Sequence, residues 1–258
     1  MNIKKYFLNK LWIFIFSIAL LVASRGQTLW AEGTWQEVKG DHFIVFYQTQ
    51  ESFSREVSRK AETYYRRISE DLGYSRYSNF WQWENRVKIF IYPTREAFLD
   101  ATGRRGWSEG AANYTTKEIA SYAEGKNFLD GLLPHEITHL IFRDYVGFKG
   151  EIPLWLDEGV AQWQEEGKRG KFNRLMKGII LDNRYFTMKE LTEVDIRKAT
   201  YVPAVQVFYM QSVSLIDFLV SEYGTDGFVT FCHQLRDGKS LDEALTFAYP
   251  TSIRNTNE

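Results

Sequence analysis

The chain has 258 residues, of which 44% are hydrophobic and 25% are charged, and its formal net charge is −1. This composition is typical of a globular protein and excludes an intrinsically disordered chain. The sequence has no basic stripe and no nucleic-acid-binding motif, so nucleic acid is not an expected partner.

The N-terminal 31 residues are predicted to be a signal peptide that is not part of the fold. Three lysines in the first ten residues precede an apolar run of 13 residues, Leu11–Ala23. This pattern is typical of an export signal, and the run is short for a membrane-spanning helix. Small residues near Ala23 and near Ala31 offer two cleavage positions. We therefore expect an exported protein that is secreted, periplasmic or at the cell surface, and that is membrane-anchored only if the signal stays uncleaved.

The first half of the mature chain is predicted to form a small mixed sheet with helices. Strands are predicted at Asp41–Thr49 and Arg86–Pro93, which are rich in β-branched and aromatic residues, and at Lys117–Glu124, where the pattern is weaker. An apolar stripe at intervals of three and four predicts a helix over Ser52–Leu72, ended by Gly73. Thr94 is predicted to cap a short helix that begins at Arg95. Gly103–Tyr114 is predicted to be a glycine-rich loop.

From residue 127 onward the sequence pattern is helical. Helices are predicted at 127–145, 153–166, 171–181, 203–223, 225–236 and 240–248. We therefore predict an α+β fold in which residues 32–258 form one domain. The single cysteine, Cys232, cannot form an internal disulfide, so the fold must be stabilised by its core or by a metal.

The stretch Leu132–Phe142, LLPHEITHLIF, places two histidines and a glutamate in an otherwise apolar run. His135 and His139 are four residues apart, which on a helix puts both imidazoles on one face, close enough to bind one metal ion. Glu136 is offset by about 100° from His135, so it can reach a metal-bound water without being a ligand. This HExxH arrangement is typical of zinc hydrolases in which the Glu is the general base.

The stretch Pro153–Trp163, PLWLDEGVAQW, offers a carboxylate as the third ligand. Zinc in a hydrolase takes three protein ligands and keeps one position open. Asp157 and Glu158 lie in an apolar helical segment, and 18 residues separate His139 from Glu158. That length lets one helix end, the chain turn at its glycines, and a second helix return beside the first.

HEITH, followed 18 residues later by the Glu of WLDEG, resembles the gluzincin metallopeptidases. The aminopeptidase N family, related to the thermolysin catalytic domain, carries the same spacing and a WLNEGFA segment. The peptidase MA-like domains of bacteria are closer still in length and layout. The resemblance covers residues 41–248 in organisation and is specific at 135–139 and 154–161. It implies a zincin-like fold, one Zn²⁺ per chain bound by His135, His139 and Glu158, and Glu136 as the base.

The same resemblance extends to residues around the metal. Val207–Leu219, VFYMQSVSLIDFL, is similar to the VYEKGAxV segment of the aminopeptidase N family, whose Tyr stabilises the tetrahedral intermediate. This implies an oxyanion-stabilising role for Tyr209, with Tyr201 and Tyr223 as the alternatives. In thermolysin-like gluzincins, the residue before the ligand Glu and an acid four residues after it orient the imidazoles. Those positions hold Asp157 and Gln162 here, and Gln162 departs from the acid.

One departure from the aminopeptidase N family concerns the substrate. That family has a GxMEN segment whose Glu binds the free amino group, whereas Gly110–Tyr114 reads GAANY, and Glu109 is out of register. We therefore expect an endopeptidase and not a general aminopeptidase. The third predicted strand is expected to be the edge that pairs with an extended peptide. Its candidate substrate-binding residues are Lys117, Glu118, Ile119, Ala120, Ser121 and Tyr122.

These features predict an exported zinc metallopeptidase that acts on a peptide or protein substrate. The alternative is a catalytically silent, zinc-stabilised binding or scaffold module at the cell surface. The presence of Glu136 favours the enzyme, because a structural zinc site has no need of a general base.

Overall fold

The structure, a computed structural model, describes residues 34–73, 81–104, 109–123, 125, 127–146, 152–165, 167–196 and 201–253. The predicted signal peptide, residues 1–31, lies outside these residues. The predicted α+β class is confirmed, because a small mixed sheet in the first half is followed by a mainly helical second half.

The sheet has five strands in the spatial order β1-β2-β3-β5-β4. The strands are β1 (Gln36–Lys39), β2 (Phe43–Tyr47), β3 (Val87–Tyr92), β4 (Gly110–Asn113) and β5 (Glu118–Tyr122). β2, β3 and β5 run parallel, whereas β1 and β4 are antiparallel strands at the two edges. β2, β3 and β5 confirm the three predicted strands.

The edge strands β1 and β4 were not predicted. β4 occupies the sheet edge at which residues 117–122 were expected to pair with a peptide. β5 hydrogen-bonds to β3 on one side and to β4 on the other, so residues 118–122 have no free edge for a peptide. β4 lies inside the segment Gly103–Tyr114, which was predicted to be a loop. The strand was missed because its sequence, GAAN, has little intrinsic strand propensity. A Cβ at Gly110 would overlap the side chain of Leu132, so the close approach of these two residues favours glycine there.

Helices cover both faces of the sheet. α1 (Glu51–Asp71) packs on one face, where alternate residues of β3, including Ile89 and Ile91, join the main core. α2 (Arg95–Thr102) covers the opposite face, where Phe98 packs against Tyr92. Thr94 caps α2 as predicted, its hydroxyl oxygen accepting the Ala97 N–H at 3.2 Å.

The second half contains six α-helices among the described residues. They are α3 (Leu133–Val146), α4 (Leu154–Trp163), α5 (Lys168–Leu181), α6 (Met188–Glu193), α7 (Val202–Arg236) and α8 (Leu241–Ala248). A π-helical turn, Phe128–Leu132, leads into α3, and π turns are often found at functional sites. The predicted helices are confirmed, except that two of them merge into α7 with a kink at Gly224, where φ is 79°. The short helix α6 was not predicted.

α7 is the central helix of this half. Of the described helices, it alone is long and apolar enough to span a membrane by length and composition, with a mean hydropathy of 1.3 over its most apolar window. Its packing accounts for that apolar character, because Phe208, Val213 and Ile216 are fully buried in the main core. α7 contacts α4 extensively, and α4 lies beside α3. The two segments singled out in the sequence are therefore adjacent in space.

Candidate metal centre

Three side chains meet where α3 faces α4. His135 and His139 lie one turn apart on α3, and their Nε2 atoms are 3.1 Å apart. Glu158 of α4 brings its Oε2 to 3.9 Å from the Nε2 of His135. The ligand atoms of all three residues lie within 4.8 Å of one another, which is the spacing that a single metal ion needs.

Two carboxylates fix the orientation of the imidazoles. The Nδ1 of His139 donates to Asp157 Oδ1 at 2.9 Å, and the Nδ1 of His135 donates to Glu165 Oε1 at 3.0 Å. A carboxylate can only accept, so each Nδ1 carries the proton and each Nε2 presents a lone pair. Two lone pairs 3.1 Å apart repel each other unless a cation lies between them. The residues therefore fit a metal ion, and two imidazoles with one carboxylate suit zinc.

The electrostatics of the site also favour a positive charge. Burial opposes the charged form of His139, but the carboxylates of Asp157, Glu158 and Glu136 raise its pKa to about 9. Burial likewise opposes the ionised form of Asp157, yet His139 and Arg143 lower its pKa to about 2. Burial raises the pKa of Glu158. The carboxylates around His139 therefore favour a cation at its Nε2, and a metal ion bound there would take the place of a proton.

Glu136 is buried beside the three candidate ligands. It lies on α3 between His135 and His139 in sequence, and the residue is only 1% exposed. Its Oε1 is buried without a hydrogen-bond partner in the part of the chain that the structure describes. A buried, unpaired carboxylate oxygen is costly unless a polar group completes it, and a water at the metal would do so.

The second imidazole-orienting residue differs from the one predicted. Asp157 contacts His139 as expected, but Glu165 and not Gln162 contacts His135. Gln162 is buried, and its Oε1 accepts from Lys168 Nζ at 3.4 Å. Lys168 also donates to Glu165 at 2.6 Å. Glu165 lies two residues beyond the end of α4, where the chain turns so that its carboxylate reaches His135, and no pattern in the sequence indicated this contact.

Tyr114 and Arg143 belong to the site although the sequence did not single them out. The Tyr114 ring meets the His139 ring edge-on, with centroids 5.7 Å apart. The guanidinium of Arg143 lies 4.9 Å above the Tyr114 ring and also pairs with Asp157. Burial and the carboxylates of Glu136, Asp157 and Glu158 raise the pKa of Tyr114 well above its usual value. Its phenol therefore stays protonated at neutral pH.

The three tyrosines considered for oxyanion stabilisation lie on or beside α7. Tyr209 is buried in the main core, with its ring 5.3 Å from that of Phe208. Tyr201 precedes the first turn of α7 and is 68% exposed. Tyr223 packs against Phe218 and Tyr249 near the kink. Burial beside α4 is compatible with the role predicted for Tyr209, and that role stays a prediction.

A sequence model described as Peptidase MA superfamily matches residues 79–258, which is more than half of the chain. The matched region contains β3 to β5, the helices α3 and α4 that carry the candidate ligands, and α7. No curated protein matches the sequence.

Proposed function

We propose that this chain, which belongs to the Peptidase MA superfamily, is an exported zinc-dependent endopeptidase. The observation that carries the proposal is the convergence of His135, His139 and Glu158 beside the buried, unpaired carboxylate oxygen of Glu136. A metal site with a purely structural role does not need that fourth group.

One zinc ion per chain would be held by the Nε2 atoms of His135 and His139 and by the carboxylate of Glu158. When bound, zinc supplies a Lewis acid that makes water more acidic and stabilises negative charge on a carbonyl oxygen. Asp157 and Glu165 keep both Nε2 lone pairs directed at the same point. They also raise the basicity of the imidazoles, which strengthens their binding to the metal.

Glu136 is proposed to move the proton. Its Oε1 accepts a proton from the water that attacks the scissile carbonyl, and the resulting carboxylic acid then donates that proton to the leaving amine. Burial keeps this carboxylate out of bulk water, so its interaction with the reacting water is not screened. Tyr209 is proposed to donate a hydrogen bond to the oxyanion.

The peptide is proposed to pair with β4 and not with β5. β4 is the sheet edge next to the metal, because Tyr114 follows it directly and contacts His139. Main-chain pairing along β4 would satisfy an extended peptide on both sides of the cut. We propose endopeptidase activity because β4 carries no carboxylate to bind a free amino terminus. Glu109 precedes β4 and does not lie on it, and we propose that it does not bind the amino terminus.

Cleavage of matched peptides with free and acetylated N-termini tests this proposal. We expect the zinc-loaded protein, expressed without residues 1–31, to cut both forms at the same internal bond, as located by mass spectrometry. Release of single residues from the free form, with loss of cleavage on acetylation, would contradict endopeptidase action. The absence of any cleavage by zinc-loaded protein would support a binding module instead.

A further inference from the structure

The turn between β4 and β5 is fixed against the metal-binding helix α3. The Asn113 side-chain oxygen accepts from the backbone N–H groups of Thr115 and Thr116, at 3.0 and 3.2 Å, and so shapes the turn. Lys117 closes the turn with a φ of 55°, and its ammonium pairs with Asp144 of α3. Tyr114, the residue between the edge strand and this turn, is therefore held in one place.

Arg143 connects Tyr114 to the metal ligands. Its guanidinium covers one face of the Tyr114 ring and pairs with Asp157, the carboxylate that orients His139. The Tyr114 ring itself meets the edge of the His139 ring. The ring is thus confined between a cation and a ligand imidazole, which is the preorganisation that a substrate-contacting group requires.

Tyr114 adds a hydrogen-bond donor on the β4 side of the site, in addition to the one proposed for Tyr209 on α7. Glu136, Asp157, Glu158 and Glu165 can only accept when ionised, while Arg143 and Lys168 donate to Asp157 and Glu165. Among the described residues, none forms a hydrogen bond with the Tyr114 hydroxyl. The ring contact with His139 places Tyr114 beside the candidate ligands, and the charges of Glu136, Asp157 and Glu158 all act on its phenol.

We propose that Tyr114 is a further catalytic residue, whose phenol donates a hydrogen bond to the oxyanion of a peptide lying on β4, and that Arg143 is the positioning residue that holds its ring. The inference rests on the proposed peptidase function. Tyr114 approaches from the edge-strand side of the cleft, whereas Tyr209 belongs to α7. No bond to Tyr114 forms or breaks, because the phenol keeps its proton throughout.

Binding of two inhibitors to the zinc-loaded protein separates this role from packing. One is a phosphinic peptide, which carries a tetrahedral oxyanion, and the other is a thiol peptide of the same sequence, which has none. Tyr114→Phe removes only the hydroxyl, and the matched control is Tyr185→Phe, at a tyrosine that is 44% exposed outside the site. Calorimetry on proteins of equal zinc content gives both affinities without relying on turnover.

We expect Tyr114→Phe to weaken binding of the phosphinic peptide by about 10- to 100-fold, the loss typical of one preorganised donor. Binding of the thiol peptide and zinc content should not change, and Tyr185→Phe should behave as the wild type. Arg143→Lys keeps a charge beside Asp157 but loses the planar guanidinium, and it should produce a smaller loss confined to the phosphinic peptide.

Equal phosphinic affinity in Tyr114→Phe and the wild type would overturn this inference alone. Equal weakening of both peptides would also overturn it, because that result assigns Tyr114 to packing. A wild-type protein that binds zinc but neither peptide would overturn the proposed peptidase function, and the inference with it.

Discussion

Gly159→Ala is expected to disturb the metal centre by separating α4 from α7. Gly159 follows the ligand Glu158, and a Cβ built on it would lie 2.9 Å from the backbone oxygen of Ser212 and 3.0 Å from a side-chain carbon of Ile216. The first contact is with backbone, which cannot rotate away. One added methyl group therefore pushes the two helices apart and carries Glu158 with α4.

The stability change follows from two opposing effects. Overpacking in a closed core costs about 1–3 kcal/mol. Alanine in place of a helical glycine restores about 1 kcal/mol of helix propensity. We therefore expect Gly159→Ala to lower the free energy of unfolding by about 0–2 kcal/mol. Gly178→Ala in α5 is the matched control, because its Cβ meets nothing within 4 Å and the mutant should gain about 1 kcal/mol.

Urea unfolding and zinc competition against a chelator measure the two consequences. Gly159→Ala should be about 1–3 kcal/mol less stable than Gly178→Ala, which is the overpacking cost alone. It should also bind zinc about tenfold more weakly, the lower end of the loss seen when groups that orient a ligand are disturbed. If Gly159→Ala matches Gly178→Ala in both stability and zinc affinity, close packing at Gly159 does not position Glu158.

Three further predictions concern the groups around the metal and the sheet. Glu165→Gln should weaken zinc binding by about 10- to 100-fold, because an amide in place of the carboxylate makes His135 a poorer ligand. Gln162→Ala should bind zinc nearly as the wild type does. If chelator competition shows the reverse order of zinc affinities, Gln162 and not Glu165 orients His135. Tyr209→Phe should lower kcat by about 100-fold with little change in KM, and unchanged steady-state kinetics would remove Tyr209 from this role and leave it to Tyr114, or to Tyr201 or Tyr223. Burial disfavours the ionised form of Glu62, but hydrogen bonds from His42 keep the pKa of this carboxyl below the unfolded value of 4.5. The ionised carboxylate therefore stabilises the folded protein above pH 4.5, and this contribution is lost as pH falls through the folded pKa. Glu62→Gln should therefore lower stability by about 1 kcal/mol at pH 7 and by less in acid, and an equal loss at both pH values in urea unfolding would contradict this.

The proposed metal ligands could be predicted from the sequence because their geometry is local. Residues four apart on a helix share a face whatever the rest of the fold does, so His135 and His139 required only the helix itself. Charged side chains in apolar segments also pointed to Glu136 and to the Asp157–Glu158 pair, because such groups are costly to bury without a partner. The known gluzincin pattern selected Glu158 from that pair.

Residues whose role depends on tertiary contacts could not be predicted from the sequence. Glu165 reaches His135 only because α4 ends at Trp163 and the chain then turns, whereas the predicted helix ran on to residue 166. Tyr114 approaches His139 because β4 pairs with β5, and strand β4 has almost no β-branched or aromatic residue to reveal it. β5, whose sequence EIASY contains an isoleucine and a tyrosine, is an inner strand between β3 and β4. A buried strand covered on both faces is richer in apolar residues than an edge.

Comparison of the wild type with Glu136→Gln, both loaded with zinc, tests the central claim most directly. The amide is nearly isosteric with the carboxylate but cannot accept the proton. Metal analysis should find one zinc per chain in both proteins. Profiling of a peptide mixture by mass spectrometry should show internal cleavage by the wild type and a rate at least about 10²- to 10⁴-fold lower for Glu136→Gln. Near-wild-type cleavage by a zinc-loaded Glu136→Gln protein would contradict the account, because the base would then lie elsewhere.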